Sequence, residues 1–177
     1  MLSVLLMGFI LATAVNKAAK GGGSMTFIVK SSAFGAGAEI PKQFTCSGED
    51  VSPALEWSGA PAKTAGFALI MEDPDAPVGT WVHWVLWNLP ASAHGLPQGA
   101  ARSEQLFDDA RQGTNDFRKL GYNGPCPPPG KPHRYFFRLY ALDVKLDLAP
   151  GATRQELDAA MKSHMLGEAE YMGTFRR

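Results

Sequence analysis

What this chain has little of narrows its function first. It has no excess of one charge: 17 Lys and Arg balance 17 Asp and Glu. With no Lys/Arg run either, the electrostatic footprint of a nucleic-acid binder is missing. Cysteine is limited to two residues. No Cys-x-x-Cys, His-x-His or His-x-x-x-His occurs, which removes the usual zinc spacings. A Gly-x-Ser-x-Gly nucleophile elbow is absent, as is a Gly-rich phosphate loop ahead of a helix. The apolar run from Leu2 to Val15 is shorter than the ~20 residues a transmembrane helix needs. The chain is therefore expected to use no metal or cofactor, to bind no nucleic acid and to carry no integral membrane segment in its mature form.

What is present points to strands. The 19 Gly and 13 Pro fall in short clusters between apolar runs, a pattern of many strands and turns. Residues 25–177 are expected to form one mainly β domain, preceded by a signal and linker over residues 1–24. Leu2 to Val15 suits the hydrophobic part of a secretory signal, with Ala12-Thr13-Ala14 as an Ala-x-Ala cleavage site. Export to the periplasm or beyond is the expected fate; a start at Met25 would instead leave the protein in the cytoplasm. Cys46 and Cys126 fit either compartment, and spacing alone leaves open whether they pair.

The stretch Glu72 to Pro90 concentrates three carboxylates, one imidazole, three indoles and three prolines. Asp73 precedes Pro74, which favours extended geometry, and Asp73 and Asp75 are expected to form an acidic tip pointing one way. Thr80 to Leu89 reads as a buried strand, and strict alternation would put Trp81, His83, Val85 and Trp87 on one face. Gly66 to Met71 is a continuous apolar run, the mark of a strand covered on both faces.

Elsewhere, Thr26 to Ser31 and Ala54 to Trp57 are expected strands, and Ile40 to Cys46 a short edge strand because proline is tolerated there. Ala91 to Gly121 reads as a long packed or functional loop. In Pro132 to Leu142, His133, Tyr135, Phe137 and Leu139 alternate onto one face. Thr153 and Glu156 form a capping box for a helix ending near Gly167, and Ala169 to Phe175 is a final strand. If the strands carrying them adjoin, Asp73, Asp75, His83, His133 and Tyr135 converge on a pocket with an aromatic floor. Imidazoles and a phenol there would donate to a phosphate-like anion. With no Lys or Arg among these residues, the positive charge would come from imidazoles, which the carboxylates would keep protonated.

Three motifs in order carry a resemblance: Asp73-Pro74-Asp75-Ala76-Pro77, Trp81-Val82-His83, and Gly121-Tyr122-x-Gly124-Pro125-Cys126-Pro127-Pro128 followed by His133-Arg134-Tyr135. Together they resemble the phosphatidylethanolamine-binding protein family, or Raf kinase inhibitor-like proteins, in its bacterial and archaeal branch. The resemblance implies a β-sandwich-like core of two antiparallel sheets in Greek-key order with a few peripheral helices. It implies a non-enzymatic protein, monomeric or homodimeric, whose pocket takes phosphate or phosphoethanolamine. Asp73, His83, His133 and Tyr135 would line that pocket, with Asp75, Pro77, Trp81, Gly124 and Pro125 around it. Two other functions stay open: inhibition of a protease or kinase through the protein surface, and hydrolysis of small phosphoesters.

Overall fold

A computed structural model describes residues 26–177; the signal and linker expected over residues 1–24 lie outside them. Among the described residues the strands are β1 (Ile28–Lys30), β2 (Leu55–Ser58), β3 (Gly66–Asp73), β4 (Trp81–Pro90), β5 (Gly95–Leu96), β6 (Arg111–Thr114), β7 (His133–Leu142), β8 (Gly151–Thr153) and β9 (Met165–Phe175). One α-helix, α1 (Arg154–Met161), precedes β9, and one turn of 3-10 helix spans Lys42–Phe44. The strands form two sheets, ordered β1-β2-β5 and β8-β6-β4-β3-β7-β9.

The apolar run at Gly66–Asp73 explains the layering. Every residue of β3 is buried, because its two faces serve two cores. Phe67, Leu69 and Met71 pack with Val29, Leu55, Trp57 and Leu96, so the three-stranded sheet covers this face. Ala68 and Ile70 pack on the other side with Leu157 and Met161 of α1. Burying one large apolar side chain contributes about 1.5–3 kcal/mol, so a strand covered twice is a natural centre for the sheet.

The mainly β expectation holds, and the sequence reading needs five corrections. Ile40 to Cys46 is not a strand: Pro41 supplies no N–H to a ladder, and the chain coils into the 3-10 turn. The presumed loop from Ala91 to Gly121 contains β5 and β6. β6 runs parallel to β8, so the sheets are not wholly antiparallel. The helix stops at Met161, and Gly167 lies inside β9; the capping box at Thr153 and Glu156 is present.

The fifth correction concerns β4. Met71 pairs with Trp84 and Glu72 with Val82, which leaves His83 as an extra residue on the strand. A bulge of this kind reverses the faces beyond it. His83 therefore shares a side with Trp84 and Leu86, while Val85 and Trp87 join Val82 in the smaller core. A second irregularity falls at Asn88, which adopts φ 56° and ties both ends of its amide to the Leu146 backbone.

Candidate functional site

The bulge aims a polar side chain at the end of the large sheet. Its backbone is satisfied from the segment after β6: His83 O accepts from Asn123 N at 3.1 Å and Asn115 Nδ2 at 3.3 Å. Asp116 holds Val82 through Oδ2 to Val82 N at 2.7 Å. Asn115 and Asp116 also place Phe117, whose ring packs edge-on against Trp81 at 5.4 Å and His83 at 5.2 Å. Because β7 lies on the other side of β3, its first residues bring His133 and Tyr135 to the same end. Asp73, at the close of β3, sits between the two.

The result is a cavity of about 210 Å³ lined by Asp73, Ala76, Pro77, Val78, Trp81, His83, Phe117, Cys126, Pro127, Pro128 and His133. That is below the ~300–1,000 Å³ of sites for drug-sized ligands. A few polar atoms lie at its base within a collar of proline, valine and aromatic rings. His133 Nδ1 donates to Asp73 Oδ2 at 2.8 Å, and Asp75 N donates to Asp73 Oδ1 at 2.8 Å. His83, 2% exposed, donates through Nδ1 to Asn123 O at 2.7 Å. Tyr135 is fully buried and meets His83 edge-on at 5.3 Å.

Electrostatics set these groups apart. Burial pushes the His83 imidazole below its ordinary pKa, outweighing its hydrogen bond to Asn123 O and the charge of Asp73, both of which favour the cation. The expectation that a carboxylate keeps this ring protonated is therefore corrected: desolvation wins. Burial, then the Asp73 charge, drives the Tyr135 phenol far above its ordinary range, so it is a neutral O–H donor. Among the described residues, the Tyr135 hydroxyl and the Trp81 indole N–H are buried with no hydrogen-bond partner. Unpaired buried donors are costly, about 1–3 kcal/mol each, and buried polar groups normally have partners; Trp81 lines the cavity and Tyr135 lies behind His83.

A phosphatidylethanolamine-binding protein family model matches residues 30–176. This chain belongs to that family. It is 49% identical over 149 residues to a UPF0098 protein of Methanothermobacter thermautotrophicus, covering 84% of this chain and 98% of the other. A UPF0098 protein of Aquifex aeolicus is 43% identical over 151 residues, covering 84% and 88%. Among solved structures, a family homologue from Chlamydia trachomatis aligns with a TM-score of 0.78 at 40% identity, covering 85% of this chain and 97% of that one. YbcL of E. coli, described as a new member of the mammalian PEBP family, aligns with a TM-score of 0.80 at 33% identity, covering 85% and 98%.

Within this family frame, Asp73, Pro77, Trp81, His83 and His133 stand on the cavity wall, and Tyr135 lies against His83. Three residues expected at the pocket do other work. The Asp75 carboxylate turns outward into a two-pronged pair with Arg134, Nε to Oδ2 at 2.9 Å and Nη2 to Oδ1 at 2.7 Å. That side-chain contact holds the Asp75 pKa at about 2. The expected common acidic tip is thus split, because consecutive polar residues flanking Pro74 face different partners. Gly124 and Pro125 anchor the wall instead of forming it. Gly124 N donates to Asp50 Oδ1 at 2.7 Å, and a Cβ at Gly124 would stand 2.1 Å from Phe44 O. Pro125 O accepts from Cys46 N at 3.1 Å. A disulfide joins Cys46 to Cys126, with Cα atoms 5.3 Å apart, and Cys126 carries the wall on into Pro127 and Pro128.

Phe117, Ala76, Val78, Pro127 and Pro128 were not foreseen at the site. A lone aromatic in the polar run Asn115 to Lys119 was the available signal for Phe117. Among the described residues no cluster of three or more His, Cys, Asp or Glu is arranged to hold a metal. None of their helices is long and apolar enough to cross a membrane.

Proposed function

We propose that this protein binds small anions or phosphate-bearing head groups of the phosphoethanolamine kind in the cavity between Asp73, His83 and His133, and that it acts as a regulatory binding protein without turnover, as a monomer or homodimer. The observation that carries the reading is the pair of unpartnered buried donors, Tyr135 O–H and Trp81 N–H, beside two buried imidazoles. An oxyanion supplies several acceptor lone pairs at once, and Asp73 offers an acceptor for an ammonium group near by. The apolar collar strengthens each of these contacts by excluding water. The Greek-key, sandwich-like description of the two sheets belongs to the same family reading and is supported by the core they share.

A second reading, inhibition or signalling through a protein partner at the mouth, draws on Val78, which is 79% exposed beside Pro77. Hydrolysis draws less support. Cys126 is committed to the disulfide, which removes it as a nucleophile, and the lining residues include no Ser or Thr. The disulfide also supports export, since such bonds persist in oxidising compartments; fractionation and the mature N-terminus separate this from a cytoplasmic start at Met25.

The test is thermal. Phosphoethanolamine well above its Kd is expected to raise Tm by mass action, and His83→Ala to abolish that rise while the apo protein stays folded. Full ligand stabilisation in His83→Ala would remove His83 from the site. Surface-mediated inhibition, by contrast, would survive the substitution.

A further inference from the structure

The two pocket imidazoles both turn Nδ1 to an acceptor of the protein. A carbonyl oxygen accepts and never donates, so His83 Nδ1, 2.7 Å from Asn123 O, carries a hydrogen. His133 Nδ1 likewise faces the Asp73 carboxylate at 2.8 Å. A neutral imidazole has one N–H, and in His83 it is already spent on the protein. Nε2 of the neutral His83 ring is then a lone pair, which repels a deprotonated oxyanion. The groups facing His83 are Asp73 from β3, Tyr135 from β7, Asp116 and Phe117 from the segment after β6, and Asn123 and Gly124; His133 lines the same cavity. No Lys or Arg is among the residues lining the cavity, so no fixed cation offsets an anion there. Burial keeps the empty-pocket His83 neutral, and that ring has a proton to gain.

We propose that anion binding loads one proton onto Nε2 of His83, so that the pocket takes up its ligand and a proton together. The inference rests on the anion-pocket reading above and names its ligand class: small oxyacid anions, among them sulfate and phosphate esters, whose charge is offset by a single imidazolium formed on binding. One N–H bond forms. The proton comes from solvent when the anion is fully deprotonated, and from the ligand's own acidic hydroxyl when a phosphate monoester arrives protonated. No other bond changes.

Sulfate is the probe because its charge is constant where phosphate monoesters titrate, near pH 6. Calorimetry with sulfate at about pH 7.5, in buffers of different ionisation enthalpy, is expected to report about one proton taken up per sulfate bound. By linkage the affinity then falls about tenfold per pH unit above neutrality. In the 15N spectrum of the wild-type protein, the His83 Nε2 signal should move from the unprotonated to the protonated ring-nitrogen range when sulfate is added. His83→Gln, which keeps an amide donor, should bind sulfate more weakly, without proton uptake and with a flat pH profile.

Sulfate binding without proton uptake overturns this inference and leaves the anion pocket standing. Uptake that persists in His83→Gln, or a His83 signal that does not move, overturns the assignment to His83. If sulfate gives neither heat nor a Tm shift with the wild-type protein at any pH, the anion-pocket reading falls and the proton goes with it. Should His83→Gln fail to fold, the wild-type spectrum decides alone.

Discussion

Glu72 and Asp73 are consecutive on β3, both nearly inaccessible at 6% and 3% exposure, and they face opposite sides of the sheet. Glu72 is saturated by fixed cations: Oε1 accepts from Arg138 Nε at 2.8 Å and Oε2 from Arg154 Nη1 at 2.6 Å. Arg138 goes on to Glu168 and Glu170, and Arg154 to Asp158. Asp73 meets one imidazole and one backbone N–H. Beside it, the Tyr135 hydroxyl has no hydrogen-bond partner among the described residues. A buried carboxylate closed by two guanidinium groups stabilises the sheet and offers nothing to a ligand. One whose neighbours keep open valences costs stability and leaves hydrogen-bonding capacity for something else to fill.

That contrast is sharpest where removal should hurt most. Glu72→Ala leaves two guanidinium groups without their shared carboxylate, and breaking a buried ion pair costs about 3–5 kcal/mol. Here the lower end, about 3 kcal/mol in urea denaturation, is expected because both arginines are partly exposed, and sulfate affinity should be unchanged. A tenfold change in affinity would show that the two faces are coupled and break the comparison.

Tyr135→Phe tests the open side with the opposite sign. Removing a buried hydroxyl that has no partner should leave the apo protein as stable or more stable by up to about 1 kcal/mol. Sulfate affinity should drop about tenfold, or ~1.4 kcal/mol. A loss of stability larger than about 1 kcal/mol would mean that the hydroxyl is already satisfied.

Acid should weaken the open side next. His83 is held below its ordinary value of about 6.5, so under that pH the unfolded chain binds a proton here and the folded one does not. Its stabilising share is full above about pH 6.5 and is lost as pH falls below it, until the folded ring protonates too. Tm between about pH 8 and pH 5 should fall more steeply in the wild type than in His83→Gln, and saturating sulfate should flatten the wild-type curve. Equal slopes would mean that His83 does not control this limb.

The smallest effect belongs to Asp75. With its pKa at about 2 beside Arg134, its contribution is present above about pH 4 and lost as pH falls through about 2. The pair is largely exposed, so Asp75→Asn should cost less than about 1 kcal/mol. Anion affinity should not move, which separates Asp75 from Asp73; a clear loss of affinity would return Asp75 to the site.

The legible parts of this molecule were those governed by neighbours in the chain. Gly66 to Met71 announced a doubly covered strand because an unbroken apolar run has no face left for water. Thr153 and Glu156 marked the helix start because a capping box is closed within four residues. His133, Tyr135, Phe137 and Leu139 kept their common face because β7 pairs with β9 through this stretch without a register shift. The three motifs were specific enough to mark the family and the residues Asp73, His83 and His133 that meet at the cavity.

What the sequence could not carry was decided by contacts between distant segments. Strict alternation failed at His83 because a bulge depends on the partner strand's register, and the groups that fill the broken ladder, Asn115, Asp116 and Asn123, lie far along the chain. Asp75 and Asp73 looked alike until Arg134 and His133 claimed one each. The charge state of His83 followed from burial, which no local pattern records and which here overrides the nearby carboxylate. The Cys46–Cys126 bond, left open by spacing, came from the packing of the 3-10 turn against Gly124. Sequence by itself determined the long central strands, where the helix begins and which polar groups are available; the tertiary structure decided the short edge strands and which of these groups face one another, because desolvation and pairing energies arise only once distant side chains meet.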